Sequence, residues 1–437
     1  MTLKNKTYHI ITIGCQMNKV DSERLAAFLE GQGFRFTKTA ERAALVLINT
    51  CGIRQSAEDR IYGLVNQIKK KSPSTKVIIT GCLSQRLDVQ KRLRGWADLF
   101  LPINEIIKLP EILAGDEYQP YFSLDNVRLK QGEKYLAISP KHTSRFSAHV
   151  PIGNGCNNFC AYCVVPYARG REVYRPAGEI IKEVQDLIKK DYREIILLAQ
   201  NVNSYQDKSY DFAKLLSRLT KLPGQFWLRF SSSHPKDLSP DLIKVFASSP
   251  KICAHLHLAV QSGNNQILKA MNRRYTVEQY SRLIKKIRLA RPEAAITTDV
   301  IVGFPGETKA QFADTMTLFK KIKFDLAYIA KYSPRPGTAA YNLVDNVSLV
   351  EKKRREQALT KILRQTALAN NKKYLGQMVE VLIEGQKNNG QYYGKTGSYK
   401  TVLIDGPAKK NLKIVGRFIK VKIRAVHDFG LDGSLEI

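Results

Sequence analysis

Cysteine is scarce in this chain of 437 residues. There are seven, too few and odd in number to staple a protein of this length, so reduced thiols that serve chemistry or hold metal are expected. Long apolar runs are missing too. The longest, residues 43–48 (AALVLI), falls far short of the ~20 residues a membrane span needs. The opening MTLKNKTYHI has no signal-peptide core, and the expectation is a soluble, cytoplasmic protein with no membrane partner. Acidic side chains are in short supply, 39 against 70 lysines and arginines, for a net charge of +31. A field of that sign collects polyanions by counterion release, so a nucleic acid is the first partner to consider, although charge alone fits a basic solvated surface equally well. The rest of the composition excludes disorder: 43% hydrophobic and 25% charged residues supply cores for about three domains at ~100–200 residues each.

The cysteines fall into three sets. Cys15, Cys51 and Cys82 are spread singly, Cys156, Cys160 and Cys163 are bunched, and Cys253 stands alone. In the N-terminal third, apolar stretches at 8–13, 45–48 and 77–80 each end in a small-residue turn that carries a cysteine: Gly14-Cys15, Asn49-Thr50-Cys51-Gly52 and Gly81-Cys82. Helical spacing follows at 22–29, 57–68 and 88–93. Strand, loop, helix repeated is a parallel α/β sheet, whose ligand crevice lies beyond the carboxyl ends of the strands. All three cysteines fall at that edge and are expected to converge. Taken singly, each is more often a small buried hydrophobe; three at equivalent loop positions argue against coincidence.

The bunched set has the spacing Cys156-x3-Cys160-x2-Cys163 with Tyr162 just before the last cysteine. Zinc commonly takes four protein ligands in paired form, and no second pair or His-x3-His partner follows. Three thiolates in one loop suit a 4Fe-4S cluster with one open iron better. Here the sequence resembles the radical S-adenosylmethionine (SAM) enzymes. The resemblance implies that the open iron chelates the amino and carboxylate groups of SAM, with Tyr162 near its adenine, and that the reduced cluster cleaves SAM to a deoxyadenosyl radical. The run 164–176 (VVPYARGREVYRP), together with residues 14–18 (GCQMN), 21–23 (DSE), 49–54 (NTCGIR) and 81–85 (GCLSQ), is similar to the methylthiotransferases within that superfamily. That resemblance implies that Cys15, Cys51 and Cys82 hold a second, auxiliary 4Fe-4S cluster.

From 147 to 333 strand and helix alternate again, with strands expected near 148–152, 194–199, 226–230, 255–260, 296–302 and 325–330. Six such units argue for a partial (β/α) barrel with its site at the carboxyl ends of the strands. Gln200-Asn201, residues 231–234 (SSSH), Gln261-Ser262-Gly263 and 303–307 (GFPGE) lie there, and Gln200, Asn201 and Gln261 are the candidate SAM contacts. Each also has a plainer reading as a cap or turn. His255 and His257 share one face of a strand and read as wall residues rather than metal ligands; Cys253 reads as a buried thiol. Residues 233–237, 260–263, 270–273, 299–308 and 332–338 resemble the methylthiotransferase branch that acts on isopentenylated tRNA. Ala199 departs from that branch, which usually has glycine before Gln200.

Residues 351–373 read as a basic amphipathic linker helix. Beyond it, β-rich runs at 378–383, 392–393, 401–404 and 418–426, broken by glycines, point to a small antiparallel barrel. From 373 to 437 there are eleven basic and six acidic residues, interleaved with Tyr392, Tyr393, Tyr399 and Phe418, a mix that suits RNA. The segment resembles the TRAM domain.

The fold expected is therefore α/β: an N-terminal parallel α/β domain at 6–125, a radical SAM core at 142–372 and a TRAM-like barrel at 373–437. The resemblance implies an enzyme with two 4Fe-4S clusters and SAM. It would convert N6-isopentenyladenosine beside the anticodon of tRNA into its 2-methylthio derivative, gripping the anticodon stem-loop, as a monomer served by an unidentified electron donor and sulfur source. The alternatives are the branches acting on threonylcarbamoyladenosine tRNA or on a ribosomal-protein aspartate, and a non-catalytic iron-sulfur RNA-binding protein.

Overall fold

The computed structural model describes residues 6–52, 55–115, 134–405 and 413–435. The expected domain end at 125, and Ile53 and Arg54 of the run that carries Cys51, lie outside them. The first unit is a five-stranded parallel sheet of β1 (Thr7–Ile13), β2 (Arg35–Phe36), β3 (Leu45–Thr50), β4 (Lys76–Gly81) and β5 (Leu99–Phe100) in the order β2-β1-β3-β4-β5. The middle strand β3, LVLINT, is buried on both faces, as a parallel strand covered by helices on either side requires. Leu45 and Leu47 pack with Leu25 and Leu29 of the helix Gln16–Gly31 on one face. Val46 and Ile48 pack with Ile61 and Val65 of Gln55–Lys71 on the other. Each of these side chains contributes about 1.5–3 kcal/mol by burial.

The second unit is an open barrel of six parallel strands in two ladders. Ser147–Pro151, Glu194–Leu198 and Trp227–Phe230 form one. His255–His257, Ala295–Val302 and Leu326–Lys331 form the other, and the parallel bridges Leu228–Ile252 and Ser233–Leu258 join them. The fourth strand is shorter than its apolar pattern predicts. The Val260 N–H donates to Thr298 Oγ1 at 2.9 Å instead of to a strand carbonyl, which interrupts the ladder until Gln261 donates to the Asp299 carbonyl at 2.8 Å. Among the described residues Leu326–Lys331 does not pair with Ser147–Pro151, so the sheet keeps two free edges.

The expected linker helix, Leu349–Asn371, is instead a layer of this barrel: Leu359 and Leu363 enter the central core. Two of its cations turn inward because carboxylates meet them there. Lys352 Nζ lies 2.6 Å from Asp345 Oδ2, and Arg355 Nη1 lies 2.6 Å from Glu307 Oε2.

The third unit is a closed barrel of Met378–Gln386, Tyr392–Thr396, Thr401–Asp405, Gly430–Leu435 and Phe418–Val426. Its pairings are antiparallel except for one parallel seam between Thr401–Asp405 and Gly430–Leu435. That last strand, GLDGSL, has too few apolar residues to be read from the sequence. Three of the four rings expected to suit RNA are committed elsewhere. Tyr392 is in the barrel core, Phe418 packs on Trp227 at 4.7 Å and Tyr399 stacks on His255 at 4.7 Å. Their partners belong to the amino ends of the central strands, so this barrel closes the end of the core opposite the cysteine loop. Buried charge fixes the junction: Arg229 pairs with Glu194 at 2.6 Å and donates to the Thr396 and Gly397 carbonyls at 2.8 and 3.0 Å, while Lys400 meets Asp325 at 2.8 Å. Among the described residues no helix is long and apolar enough to cross a membrane.

Candidate active site at two facing cysteine loops

The bunched cysteines sit in the loop after the first barrel strand. A two-residue pairing of Gly153–Asn154 with Val173–Tyr174 closes its base, and Cys156 N–H donates to the Gly170 carbonyl at 3.1 Å. Gly155 takes φ +83°, and a methyl there would meet the Arg171 and Gly170 carbonyl oxygens at 2.1 and 2.6 Å, so the turn demands glycine. Ala161 anchors the loop's far side, donating to the Met271 carbonyl at 3.0 Å and accepting from Ala340 N–H at 2.7 Å. Two sulfurs receive donors: Asn158 Nδ2 at 3.5 Å from Cys156 Sγ, and Arg273 Nη1 at 3.4 Å from Cys160 Sγ. Burial pushes the Cys156 thiol up to about 11 and, with Cys160 beside it, raises Cys163 as well. Tyr162 packs against a cluster that includes Met271, Phe304 and Tyr332, and burial keeps its phenol neutral.

The three scattered cysteines follow β1, β3 and β4, and they do converge. A methyl on Gly14 would lie 2.8 Å from Cys51 Cβ, and one on Gly52 would lie 3.1 Å from Cys82 Cβ. A hydrogen bond with Cys51, and Arg169 nearby, outweigh burial and bring the Cys15 thiol down to about 6. The two loops also face each other, since the methyl on Gly52 would touch Val164 Cγ2, one residue past Cys163, at 3.0 Å.

Among the described residues no group of three histidines, cysteines or carboxylates could hold a metal ion. A single ion needs all its thiolates about 2.3 Å away, whereas in a 4Fe-4S cluster each thiolate takes a different iron, which asks for wider spacing. Soft sulfur donors in sets of three, with N–H groups aimed at two of the sulfurs, fit that second kind of group.

Polar atoms without partners line the strand ends beside the cysteine loop. Gln200 Oε1, Asn201 Oδ1, Ser233 Oγ and Gln261 Oε1 are buried and unpaired, a costly state unless a ligand meets them. Asn201 is held by Asp237 at 2.7 Å. Gln261 sits at φ +67°, a strained conformation for a side-chain-bearing residue. Burial, with Arg273 and Lys236 nearby, drives the His234 pKa down to about 2. The Lys236 N–H donates to His234 Nδ1 at 3.2 Å, leaving the imidazole proton on Nε2. His255 and His257 hydrogen-bond to Thr297 at 2.9 and 3.1 Å and are wall residues. Cys253 is buried with Trp227 and Leu382.

Two buried networks seat the first unit on the carboxyl ends of the barrel. On the first-strand side Arg169 Nη2 pairs with Asp21 at 2.5 Å and Nη1 donates to Asn154 Oδ1 at 3.1 Å; Asp21 also accepts from the Tyr135 hydroxyl. On the last-strand side Arg335 pairs with Glu58 at 2.9 Å and Arg86 meets the same carboxylate at 2.5 and 3.0 Å. Asp21, Arg169, Arg273 and Arg335 fall within runs that carry a family resemblance, but only the structure pairs them, because their partners lie far apart in the chain.

Family models match the chain in three places: the Radical SAM superfamily at 150–319, the Uncharacterized protein family UPF0004 at 7–100 and the TRAM domain at 372–435. The radical SAM methyltransferase TsrM from Kitasatospora setae shares the fold, with TM-score 0.56 at 14% identity over 77% of each chain. Fold and domain content make this a radical SAM enzyme with an added TRAM barrel.

Its relatives narrow the class. It is 40% identical over 99% of its length to the tRNA-2-methylthio-N(6)-dimethylallyladenosine synthase of Carboxydothermus hydrogenoformans, covering 100% of that protein. Against the synthase of the same name from Thermoanaerobacter sp. (strain X514) it is 40% identical over 99% of its length and 93% of that protein. The chain belongs to the tRNA-2-methylthio-N(6)-dimethylallyladenosine synthase family.

Proposed function

We propose that this enzyme converts N6-isopentenyladenosine beside the anticodon of tRNA into its 2-methylthio derivative, using two 4Fe-4S clusters and SAM. The observation that carries the reading is the meeting of two separate cysteine triads, across Gly52 and Val164, in a chain of this family. The adenine C2–H is neither acidic nor next to a leaving group, so acid-base devices have little to act on. The clusters and SAM supply, when bound, the one-electron chemistry and the sulfur that this carbon requires.

The protein's own residues hold and exclude. Cys156, Cys160 and Cys163 hold the SAM-cleaving cluster, and Cys15, Cys51 and Cys82 hold the auxiliary one. Tyr162, Gln200, Asn201 and Gln261 line the SAM site. The paired networks at Asp21 and Glu58 keep the two loops in register and help shut water out of the space between them. The basic barrel at 373–437 contributes cations to the anticodon stem-loop, and the core at 142–372 and the α/β unit at 6–125 form the chemical site. We place the enzyme in the cytoplasm, working as a monomer with an external reductant and sulfur source.

The test is to incubate anaerobically reconstituted protein with isopentenylated tRNA, SAM, dithionite and sulfide, then digest the tRNA and analyse nucleosides by mass spectrometry. A methylthio group on that adenosine is expected. Deoxyadenosine without modified nucleoside would move the substrate to a sister branch, and the absence of both products would overturn the catalytic reading.

A further inference from the structure

Arg273 carries a positive charge into the interior beside the bunched cysteines. It is 7% exposed, and among the described residues it has no carboxylate partner. Its guanidinium is fixed at two corners: Nε donates to the Tyr275 hydroxyl at 2.9 Å and Nη2 to the Ala259 carbonyl at 2.7 Å. Tyr275 is itself anchored, its hydroxyl donating to the Val260 carbonyl at 2.8 Å. The third corner, Nη1, points at Cys160 Sγ at 3.4 Å. Asn272, at φ +56°, makes the turn that brings the arginine in, and its Nδ2 donates to the Phe159 carbonyl at 2.9 Å, tying that turn to the cysteine loop.

A buried cation without a counter-ion is expensive, and packing alone would be served better by an apolar side chain. The arrangement gains its meaning from a sulfur ligand that becomes more negative. One-electron reduction adds a negative charge to an iron-sulfur cluster, and hydrogen bonds to its sulfurs together with nearby charge set its potential. A rigid, charge-bearing fork directed at Cys160 Sγ stabilises the reduced form more than the oxidised one.

We infer that Arg273 is a positioning residue that raises the reduction potential of the cluster held at Cys156, Cys160 and Cys163, easing transfer of one electron from an external low-potential reductant. The inference rests on the cysteine assignment made under Proposed function.

The experiment uses the full chain carrying Cys15→Ala, Cys51→Ala and Cys82→Ala, so that one cluster remains, with SAM absent. Its midpoint is measured by dithionite titration followed by electron paramagnetic resonance, with iron content matched between samples. Arg273→Gln is expected to disfavour reduction on the order of tenfold, a shift of 59 mV to lower potential for one electron. Arg273→Lys, which keeps the charge without the fork, is expected to shift less in the same direction. Tyr275→Phe, which frees one corner of the guanidinium, is expected to do likewise and serves if the glutamine variant fails to assemble. A change under threefold in Arg273→Gln, or a shift to higher potential, overturns the inference. In that glutamine variant's absence, unchanged midpoints in both other variants overturn it. Failure of the parent, with Arg273 intact, to take up any cluster overturns the cysteine assignment instead.

Discussion

Replacing Arg229 with methionine is expected to loosen the C-terminal barrel from the core by about 4 kcal/mol. Glu194, 4% exposed, would keep only the Ser147 hydroxyl at 2.7 Å as a partner, and stranding one member of a buried ion pair costs about 3–5 kcal/mol. The Gly397 carbonyl would lose its donor as well, at about 1–3 kcal/mol where water cannot replace it, whereas the Thr396 carbonyl would keep the Tyr399 N–H at 3.0 Å. These losses share one site and do not add. The chain has two tryptophans, and one of them, Trp227, packs at the junction with Leu382 and Phe418. In a Trp96→Phe background its fluorescence therefore reports barrel release during urea titration, where the transition should fall by at least about 1 M. Glu194→Gln in the same chain should restore half or more of the loss. Acidity adds a sign. Burial raises the Glu194 carboxyl and Arg229 more than offsets it, leaving it below the ordinary range. The pair therefore stabilises above the unfolded carboxylate pKa, and that contribution is lost as pH falls through the folded one. Without Arg229 burial is opposed only by the Ser147 hydroxyl and the charge of Lys395, so the gap between parent and variant should narrow on acidification. A variant within about 1 kcal/mol of the parent, or a gap that widens at low pH, would refute the reasoning.

Further outcomes follow from the site. Cys156→Ala, Cys160→Ala and Cys163→Ala should each abolish deoxyadenosine formation, whereas Cys15→Ala, Cys51→Ala and Cys82→Ala should leave it while ending nucleoside modification; normal SAM cleavage by Cys156→Ala would sink this division. Gly155→Ala should prevent iron uptake at the bunched triad, because the added methyl would meet backbone oxygen; iron content and absorbance near the visible charge-transfer bands would check it. Glu23 accepts from the Thr143 N–H at 2.9 Å and Thr143 Oγ1 at 2.8 Å. Burial raises its carboxyl, but these bonds and His142 more than offset that and leave it lowered. The tie should hold above the unfolded carboxylate pKa and fail as pH drops through the folded one, speeding hydrogen exchange at the Thr143 amide relative to the acid trend of its neighbours. Glu23→Gln should remove that extra pH dependence.

Two of the strands that lead into cysteines, Leu45–Thr50 and Lys76–Gly81, were legible because their apolar runs are buried on both faces and stop at small residues; Thr7–Ile13 is only partly buried, and its apolar run stops at Gly14. Leu45–Thr50 and Lys76–Gly81 each extend only a residue or two beyond the stretches read from the sequence. Short edge strands such as Arg35–Phe36 gave no signal, since two residues carry no periodicity. Convergence of Cys15, Cys51 and Cys82 could be anticipated from topology, because parallel strands send their loops to one edge. The cations of Leu349–Asn371 could not be placed. Lys352 and Arg355 look like surface charge until Asp345 and Glu307 are seen beneath them. Tyr399 and Phe418 carried the opposite ambiguity, and a ring interleaved with lysines reads the same whether it faces a base or, as here, another domain.

The α/β unit holds the barrel at its two unpaired margins, through Arg169 after the first strand and Arg335 after the last. It stands where the keystone stands in an arch, and the gap between the margins cannot widen without one of those grips giving way. Because its own cysteine turns lie in the same block, the width of that gap and the separation of the two sulfur sets form a single mechanical variable. A substitution that slackens either grip changes how far the barrel gapes and how far apart the two sets of sulfurs sit at the same time.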